Sequence, residues 1–361
     1  MTSVSTVDVV RPGALTTIQD LGRIGWAHLG VPRSGALDAP ALRLANRLAG
    51  NPLDAAGLET TLNGCTLRFA SAATVAVTGA DAVVTLAGEP AAHTAPLRVR
   101  PSDTLVVGPA RAGVRSYVAI SGGIDVPPVL GSRSTDTLSG LGPPPLRRGD
   151  TLSLGIGSAS DGHDDNCRAH GVILDPDCDK CRALAVIMDP GDDKCRALAV
   201  ILEEESSKCR ALAGIMGGGD SKCRAVASIL GGTGDGLLIG VRAGPRDDWF
   251  ASGAFEVLCG SAYTVGVNSN RVGARLAGPP LHRADLADLA SVPPRRGNPT
   301  ELPSEGLVLG AVQIASDGQP TVMLADHPTT GGYPVIAVVD GDDVALFAQA
   351  RPGATVRFHG L

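Results

Sequence analysis

Lysine is almost absent from this chain of 361 residues. Its four lysines, Lys180, Lys194, Lys208 and Lys222, lie in one segment, and every other long basic side chain is an arginine. A Walker A phosphate loop needs the pattern GxxxxGK[ST], which does not occur. Outside that segment the chain also offers no lysine for a Schiff base, a Ser–Lys amidase centre or a biotin acceptor. If the protein takes part in ATP-driven or biotin-linked chemistry, we expect a partner polypeptide to carry that machinery.

Aromatic residues and basic clusters are scarce as well. Aromatics make up 3% of the chain, so the core must consist of aliphatic residues, and few side chains can stack on bases. The formal net charge is −6, and no long run of basic residues occurs. Binding through phosphate neutralisation is therefore disfavoured, and we predict no nucleic-acid partner.

Long apolar runs are missing too. None approaches the roughly 18 residues that a membrane helix needs, so we predict no membrane association. The first residues, MTSVSTVDVVRPG, lack a basic stretch followed by an apolar one, so we expect no secretory signal. The expected location is the cytoplasm, where the eight cysteines should mostly be reduced.

A tandem repeat interrupts the chain. Five cysteines are spaced 14 residues apart, and the text around them repeats as KCRALAVIMDPGDD with small changes. We interpret residues 158–235 as an insertion of five repeats between two parts of one core, residues 1–157 and 236–361. Each unit could form a brief strand or a short helix. The cysteines that define the spacing are Cys167, Cys181, Cys195, Cys209 and Cys223.

The insertion has two functional interpretations, a partner-binding arm or a metal site. Cys167, His170, Cys178 and Cys181 give the spacing C-x2-H…C-x2-C, which zinc could use. The other repeats carry one cysteine each, so Cys178 is a single deviation in a degenerate repeat. We therefore predict no metal site, and we favour a duplicated surface insertion without a catalytic role.

The two core parts are rich in short strands with one clear helix. Glycine (47 residues) and proline (26 residues) supply many turns. Residues 37–50 have leucines near a 3.6-residue period, with Asp38 as the N-cap, Pro40 in the first turn and Gly50 at the end. This pattern predicts a mainly β fold with some α, of barrel-like architecture. Strands are predicted at residues 73–77, 83–86, 104–107, 116–120, 307–313, 321–324, 335–339, 344–348 and 355–358.

A compact polar loop at residues 329–334 is the strongest candidate site. It reads TTGGYP, and its glycines would let a ligand approach backbone N–H groups that could hold an oxyanion. Asp326 and His327 adjoin it and could serve acid–base chemistry. Neighbouring residues on a strand face opposite ways, however, so a solvated histidine and a turn-forming aspartate are equally compatible with the sequence. A tight hairpin turn is the alternative for the loop itself.

Four further polar stretches could complete this site. They are residues 19–23, 32–38, 131–136 and 268–273. Arg23 and Arg271 could each bind a carboxylate or a phosphate through a forked guanidinium. Ser34 could donate a hydrogen bond, although no G-x-S-x-G elbow surrounds it. Each stretch could also be an ordinary loop, with Asp20 as a turn residue.

Several motifs resemble one known family when they are taken in order. They are RPGALTTIQDLGR, SGALD, GADAVVTLAG, AISGGIDVPPVLGSRSTD, NSNRVGARLAGPPL, SEGLVLGAVQIASDGQP and ADHPTTGGYPVIA. Together they resemble the allophanate hydrolase subunit 2 family, a carboxyltransferase-like family that includes KipA and the C subunit of 5-oxoprolinase. The resemblance covers about residues 5–155 and 236–361. It implies a cyclophilin-like β-barrel core.

The resemblance also implies an activity and partners. We expect one component of an ATP-dependent 5-oxoprolinase, a hydrolase that opens 5-oxoproline to glutamate. It would act only with two partner subunits, called A (LamB/YcsF-like) and B (KipI-like), with ATP used by the assembled complex and no cofactor bound covalently here. The alternatives are a KipA-like protein that binds a kinase inhibitor and a carboxyltransferase-like component of urea or allophanate metabolism.

Candidate residues follow from the polar loops and the chemistry of that reaction. The expected catalytic residues are Asp326, His327 and Tyr333. The expected substrate-binding residues are Arg23, Ser34, Arg271, Gln313, Thr330, Gly331 and Gly332.

Overall fold

The structure is a computed structural model that describes residues 5–156, 236–284 and 302–361, with the backbone of residues 182–183 and 201–202. Its contacts divide the chain into two units, Met1–Ser158 with Asp235–Leu361, and Ala159–Gly234. In the second unit two short strands pair antiparallel, β10 (Arg182–Ala183) with β11 (Ile201–Leu202). The rest of the predicted repeat lies outside the described residues, and its interpretation as an insertion stays a prediction.

A nine-stranded sheet forms the N-terminal part of the first unit. Six strands follow the order β2-β3-β8-β4-β1-β9, and β5 pairs with β6, β7 and β8. Its aliphatic core includes Val7, Leu58, Leu67, Val77 and Val118, each fully buried. The strands are β1 (Thr6–Arg11), β2 (Leu15–Gln19), β3 (Gly57–Thr61), β4 (Thr66–Phe69), β5 (Ala73–Leu86), β6 (Glu89–Ala91), β7 (Leu97–Val99), β8 (Thr104–Ile120) and β9 (Thr151–Ser153).

Two strands of this sheet are much longer than the sequence predicted. The four runs predicted between residues 73 and 120 merge into β5, of 14 residues, and β8, of 17 residues. The glycines interpreted as turns lie inside these strands, Gly79 with φ 89° and Gly113 with φ 75°. The β5–β8 pairing shifts register around Gly79 and Asp81, as in a β-bulge. A glycine in a strand therefore bends the sheet here without ending the strand.

A closed seven-stranded barrel forms the C-terminal part. Its order is β12-β19-β16-β17-β14-β13-β20, and β20 closes it by pairing parallel with β12. The prediction of a mainly β, barrel-like fold is thereby confirmed. The barrel strands are β12 (Leu237–Ala243), β13 (Ala262–Val265), β14 (Gly273–Ala277), β16 (Ala311–Ile314), β17 (Pro320–Met323), β19 (Val335–Val339) and β20 (Thr355–Gly360), and a separate pair is β15 (Glu305–Gly306) with β18 (Thr330–Gly331).

Two α-helices are present in the described ranges. Helix α1 (Ala39–Leu48) packs Leu42 and Ala45 against Tyr117 of β8. The Asp38 side chain accepts a hydrogen bond from Ala41 N at 3.0 Å, which confirms the predicted N-cap. Gly50 follows the helix with φ 76°, the left-handed conformation that favours glycine. The second helix is α2 (Ala254–Gly260), and 3-10 helices are Ala27–Leu29, Asp247–Trp249 and Val344–Ala348.

Two strand predictions in the barrel were wrong. The run Val344–Ala348 forms a 3-10 helix, because a short, fully apolar run does not itself distinguish a strand from a helical turn. The run predicted from residue 307 becomes a strand only at Ala311. Among the described residues, no helix has both the length and the apolar character required to cross a bilayer.

Gln349, which directly follows the 3-10 helix Val344–Ala348, connects the barrel to the sheet through hydrogen bonds. Its Oε1 accepts from the N–H groups of Val114 (2.9 Å) and Arg115 (3.1 Å) on β8. Its Nε2 donates to Asp38 Oδ2 (2.9 Å) and to the Arg115 carbonyl (3.0 Å). One half-buried amide thereby connects the barrel, β8 and the start of α1.

Candidate functional site

The polar loops singled out in the sequence meet where the sheet adjoins the barrel. Asp20 binds the hydroxyl groups of Ser132 and Ser134, which each donate to its Oδ1 at 2.6 Å. Arg23 Nη1 donates to Ser34 Oγ at 3.1 Å, and Arg271 Nη2 donates to the Gly35 carbonyl at 2.7 Å. The N-terminal loops and the loop before β14 thereby form one connected network.

Asp20 holds its own loop and the Ser132–Ser134 loop together. Besides the two serines, Gly22 N donates to Oδ1 at 2.7 Å and Arg133 N donates to Oδ2 at 2.6 Å. These four donors satisfy a carboxylate that is only 8% exposed. The residue forms a turn, as one interpretation of the sequence expected, and it also joins two distant segments.

Arg271 and Asp326 form a forked ion pair in the interior. Nε donates to Oδ2 and Nη2 donates to Oδ1, both at 2.9 Å. Thr137 adds two donors to Asp326 Oδ2, its hydroxyl at 2.6 Å and its N–H at 3.1 Å. Asp326 lies in a turn after β17 and is completely buried. Both residues therefore bind protein groups in this structure, and their predicted roles toward a substrate stay predictions.

Glu59 is the centre of the network, and sequence reasoning missed it. It lies on β3 and is 1% exposed. Its Oε1 accepts from Arg271 Nη1 at 2.6 Å and lies 3.4 Å from Arg115 Nε, while its Oε2 accepts from Tyr117 Oη at 2.8 Å and from Leu37 N at 3.0 Å. A charged residue within a short strand of otherwise uncharged residues was the available signal, since a buried carboxylate requires partners.

Burial and neighbouring charge set the protonation of this network. Burial alone would raise the pKa of Glu59, but Arg271 and Arg115 hold that pKa below its ordinary value. Burial likewise disfavours the charged form of Arg271, yet Glu59 and Asp326 keep the pKa of Arg271 above its ordinary value. Burial, with Glu59 and Asp38 nearby, raises the pKa of Tyr117 far above the usual range. Glu59 and Arg271 are therefore both charged at neutral pH, and the Tyr117 phenol is a neutral donor.

Arg23 and Ser34 form the second part of the network. Arg23 is 2% exposed, and its Nη2 donates to the Ser134 carbonyl at 2.5 Å. Ser34 has φ 54°, an uncommon conformation for a residue other than glycine, and its N–H donates to the Ala325 carbonyl at 3.0 Å. The structure thus brings these two predicted substrate-binding residues together, beside Asp326. Their binding role stays a prediction.

His327 is buried next to this network, and the interpretation of it as a solvated histidine was wrong. It is 5% exposed, and its Nδ1 lies 2.7 Å from the Pro328 carbonyl. A carbonyl oxygen only accepts, so Nδ1 carries the proton and Nε2 has the lone pair. Burial, opposed by the Pro328 carbonyl, lowers the pKa of His327 below its ordinary 6.5. The neutral imidazole can therefore act as a base through Nε2, which has no hydrogen-bond partner in the described part of the chain.

The TTGGYP loop has a different character from the buried network. Thr330 and Gly331 form β18, which pairs with Glu305 and Gly306. A Cβ atom added at Gly331 would lie 2.7 Å from Gln313 Nε2, so the Gln313 side chain packs directly against the backbone of the loop. Gln313 Nε2 donates to the Tyr333 carbonyl at 2.9 Å, which fixes the end of the loop.

The residues of the TTGGYP loop are more exposed to solvent than those of the buried network. Tyr333 is 46% exposed, and Thr330 is exposed as well. Gly332 has open space, with the Leu302 carbonyl 3.6 Å from an added Cβ. The loop therefore presents hydroxyl groups and backbone to solvent, while Arg23, Arg271 and Asp326 lie inside.

The described residues contain no group of three or more His, Cys, Asp or Glu that could hold a metal. The C-x2-H…C-x2-C spacing of residues 167–181 lies outside the described residues, and the prediction that it binds no metal stays a prediction. A cavity of about 650 Å³ is lined by Val267, Asn268, Ser269, Asn270 and Arg275, directly before and after Arg271 in sequence.

Known proteins resemble the chain over almost its whole length. It is 31% identical to the 5-oxoprolinase C subunit of Escherichia coli (strain K12) over 357 residues, 97% of this chain and 89% of that protein. It is 30% identical to the urea amidolyase of Lachancea kluyveri, again over 97% of this chain but over only 17% of that much longer protein.

Solved structures agree with this likeness. The crystal structure of the Kluyveromyces lactis urea carboxylase matches with a TM-score of 0.72 and 30% identity, over 99% of this chain and 27% of that one. The sequence also matches the family described as carboxyltransferase domain, subdomain A and B, over residues 29–199 and 221–360. The chain therefore belongs to the carboxyltransferase domain (subdomain A and B) family.

Proposed function

We propose that this chain is the C subunit of a multi-subunit, ATP-dependent 5-oxoprolinase. The observation that carries the proposal is the match to the C subunit of the E. coli 5-oxoprolinase, which extends over 97% of this chain and 89% of that one. The aligned region includes most of that subunit, which supports a shared role. The urea amidolyase match, by contrast, includes 17% of a longer protein.

The reaction needs an activated lactam, because amide resonance makes an unstrained lactam a poor electrophile. In the proposed scheme the lactam oxygen attacks the γ-phosphorus of ATP, and ADP leaves. Water then adds to the imidate carbon, and cleavage of the C–N bond gives γ-glutamyl phosphate. A second water hydrolyses this to glutamate and phosphate. The chain has no Walker A lysine, so we assign ATP binding to its two partner subunits, the LamB/YcsF-like A and the KipI-like B.

The residues of this chain would supply a base and oxyanion donors. His327 Nε2 is the proposed base, since its neutral form prevails at pH 7. The backbone N–H group of Gly332 is the proposed donor to the tetrahedral oxyanion, with the hydroxyl groups of Tyr333 and Thr330 at its edge, while Gly331 pairs with Glu305 and shapes the loop. Arg23, Arg271, Asp326 and Ser34 would hold the segments that carry them, and Gln313 would fix the loop.

Two further properties belong to the same proposal. The need for ATP supports a cytoplasmic location for the proposed complex. The closed seven-stranded topology supports assignment of the barrel to the cyclophilin-like type.

A carboxyltransferase component of urea metabolism is the second candidate. The family match and the urea carboxylase structure favour it. Such a component would accept a carboxyl group from a biotin that residues 1–157 and 236–361 cannot themselves carry, because they contain no lysine.

Reconstitution distinguishes the two candidates. The chain is mixed with its A and B subunits, 5-oxoproline and ATP, and glutamate release is measured with and without it. Release that depends on the chain supports the 5-oxoprolinase. Equal release without it contradicts this function, and carboxyl transfer from a biotinylated carrier to urea in a parallel assay would favour the second candidate.

A further inference from the structure

Arg33 is an exposed arginine in the segment that approaches the TTGGYP loop. Its guanidinium makes no hydrogen bond or ion pair with any residue of the described ranges. Its neighbour Ser34 donates its N–H to the Ala325 carbonyl at 3.0 Å, and the Arg33 carbonyl accepts from Arg23 N at 2.8 Å. The backbone of Arg33 is therefore fixed, while its side chain is free.

This segment runs alongside the candidate base and loop. A side chain at Gly30 would come within 3.9 Å of Thr329 Oγ1, so the residues before Arg33 approach the start of the loop. The Ala325 carbonyl that accepts from Ser34 N lies two residues before His327, so the backbone of Arg33 runs close to the candidate base as well.

The other arginines near the junction are already engaged by protein groups. Arg271 binds Glu59 and Asp326, Arg23 binds Ser34 and the Ser134 carbonyl, and Arg115 binds the Ala348 carbonyl at 2.7 Å. A ligand carboxylate would have to displace one of these partners to bind there, leaving a buried group unpaired. Lysine is no alternative, since none occurs outside residues 158–235.

We propose that Arg33 binds the carboxylate of the lactam substrate and thereby makes the site specific for lactams that carry an α-carboxylate. This inference rests on the proposed 5-oxoprolinase function. A guanidinium can bind a carboxylate through two parallel hydrogen bonds, which fixes orientation as well as position. With its carboxylate anchored on Arg33, the lactam ring would extend toward His327 and the backbone of Gly331 and Gly332.

The test uses two ligands that differ only in the carboxylate. In the reconstituted complex, with 5-oxoproline as the substrate, Arg33→Gln is compared with the unchanged chain for KM and kcat. Both are also compared for inhibition by 2-pyrrolidinone, the same lactam without its carboxylate. We expect kcat/KM to fall roughly 10- to 100-fold, mainly through KM, as the loss of a charged hydrogen bond predicts. The inhibition constant of 2-pyrrolidinone should stay within about twofold, and Arg33→Lys should recover part of the loss.

Two controls keep the outcomes distinct. Arg43→Gln removes an exposed arginine from α1 and should leave both ligands unaffected, and circular dichroism verifies that each variant is folded. Equal effects of Arg33→Gln on both ligands, or none, would overturn the role of Arg33 while the proposed function stands. If the unchanged chain gives no glutamate release beyond that of its partners, the function and this inference fail together.

Discussion

Arg271 of the barrel and Glu59 of the N-terminal sheet, 212 residues apart in sequence, meet with Nη1 2.6 Å from Oε1. Both are almost fully buried, at 2% and 1% side-chain exposure. A buried ion pair of this kind contributes modest net stability when intact, but loss of one member leaves the other charge without a partner. The pair therefore makes the sheet and the barrel depend on each other.

Replacement of Arg271 by methionine should destabilise the protein strongly. Glu59 and Asp326 would remain buried without their cation, and such losses cost about 3–5 kcal/mol. Chemical denaturation measures the change in the free energy of unfolding. The matched control is Arg68→Met, which breaks the ion pair with Asp8, where the two side chains are 58% and 36% exposed. This exposed pair should contribute about 0–1 kcal/mol, and equal losses in the two variants would contradict the linking role of Arg271.

Two substitutions of Asp38 distinguish the stability contributed by the N-cap of α1 from that of the hydrogen bond with Gln349. Asp38→Ala removes the acceptor for Ala41 N and the contact with Gln349, whereas Asp38→Ser keeps a capping oxygen and loses only the latter. We expect the alanine variant to be less stable than the serine variant by about 1 kcal/mol. Thermal unfolding of both gives the comparison, and identical stabilities would show that the cap contributes nothing.

The bulge in β5 should depend on glycine at residue 79. Gly79 has φ 89°, and an added Cβ would clash with the Arg115 carbonyl of β8. Gly88 has φ 88°, but no atom lies within 4 Å of the position of its Cβ. Gly88→Ala therefore measures the backbone strain alone, about 1–2 kcal/mol. Gly79→Ala should cost about 1–3 kcal/mol more, because the clash adds to the strain. Similar unfolding midpoints for the two variants would exclude the clash.

Stability should fall in acid partly because of His327. Burial, against the Pro328 carbonyl, lowers the pKa of His327 in the folded state below the ordinary 6.5. The folded state thus favours the neutral form, so this contribution is fully present above pH 6.5 and is lost as the pH falls through the lower folded value. His327→Gln should weaken the decrease in stability between pH 7 and pH 5.

Unfolding at several pH values measures this effect, and His28→Gln, at an exposed position, is the control. An unchanged pH dependence in His327→Gln would show that the imidazole is not held neutral by burial. A change of the same size in the control would assign the effect to surface charge.

Local signals in the sequence were enough to predict several elements. Asp38, Pro40 and Gly50 marked the two ends of α1, since capping and φ restrictions act within a few residues. The strand Val335–Val339 was predicted with its observed limits. Local chemistry alone determines the ends of α1, whereas the strand was predicted from its run of β-branched residues although its backbone groups pair with the distant strands β12 and β16.

The limits of β5 and β8 could not be obtained in the same way. The glycines inside them are typical of turns, and only the pairing of the two strands turns Gly79 into a bulge. The conformation of Val344–Ala348 could not be predicted locally either, because burial by the surrounding barrel permits a 3-10 helix in place of a strand.

The sequence by itself determined which polar residues are unusual for an aliphatic, lysine-poor core, and so it identified Arg23, Arg271 and Asp326. Only the tertiary structure decided their partners. Glu59 and Arg115 lie in segments whose sequences predict ordinary strands. Their role is visible only in the fold, where Glu59 Oε1 lies 2.6 Å from Arg271 Nη1 and 3.4 Å from Arg115 Nε. The reason is physical: a buried charge is tolerated only with a counter-charge, and long-range strand pairing, which leaves no local trace in the sequence, places that counter-charge.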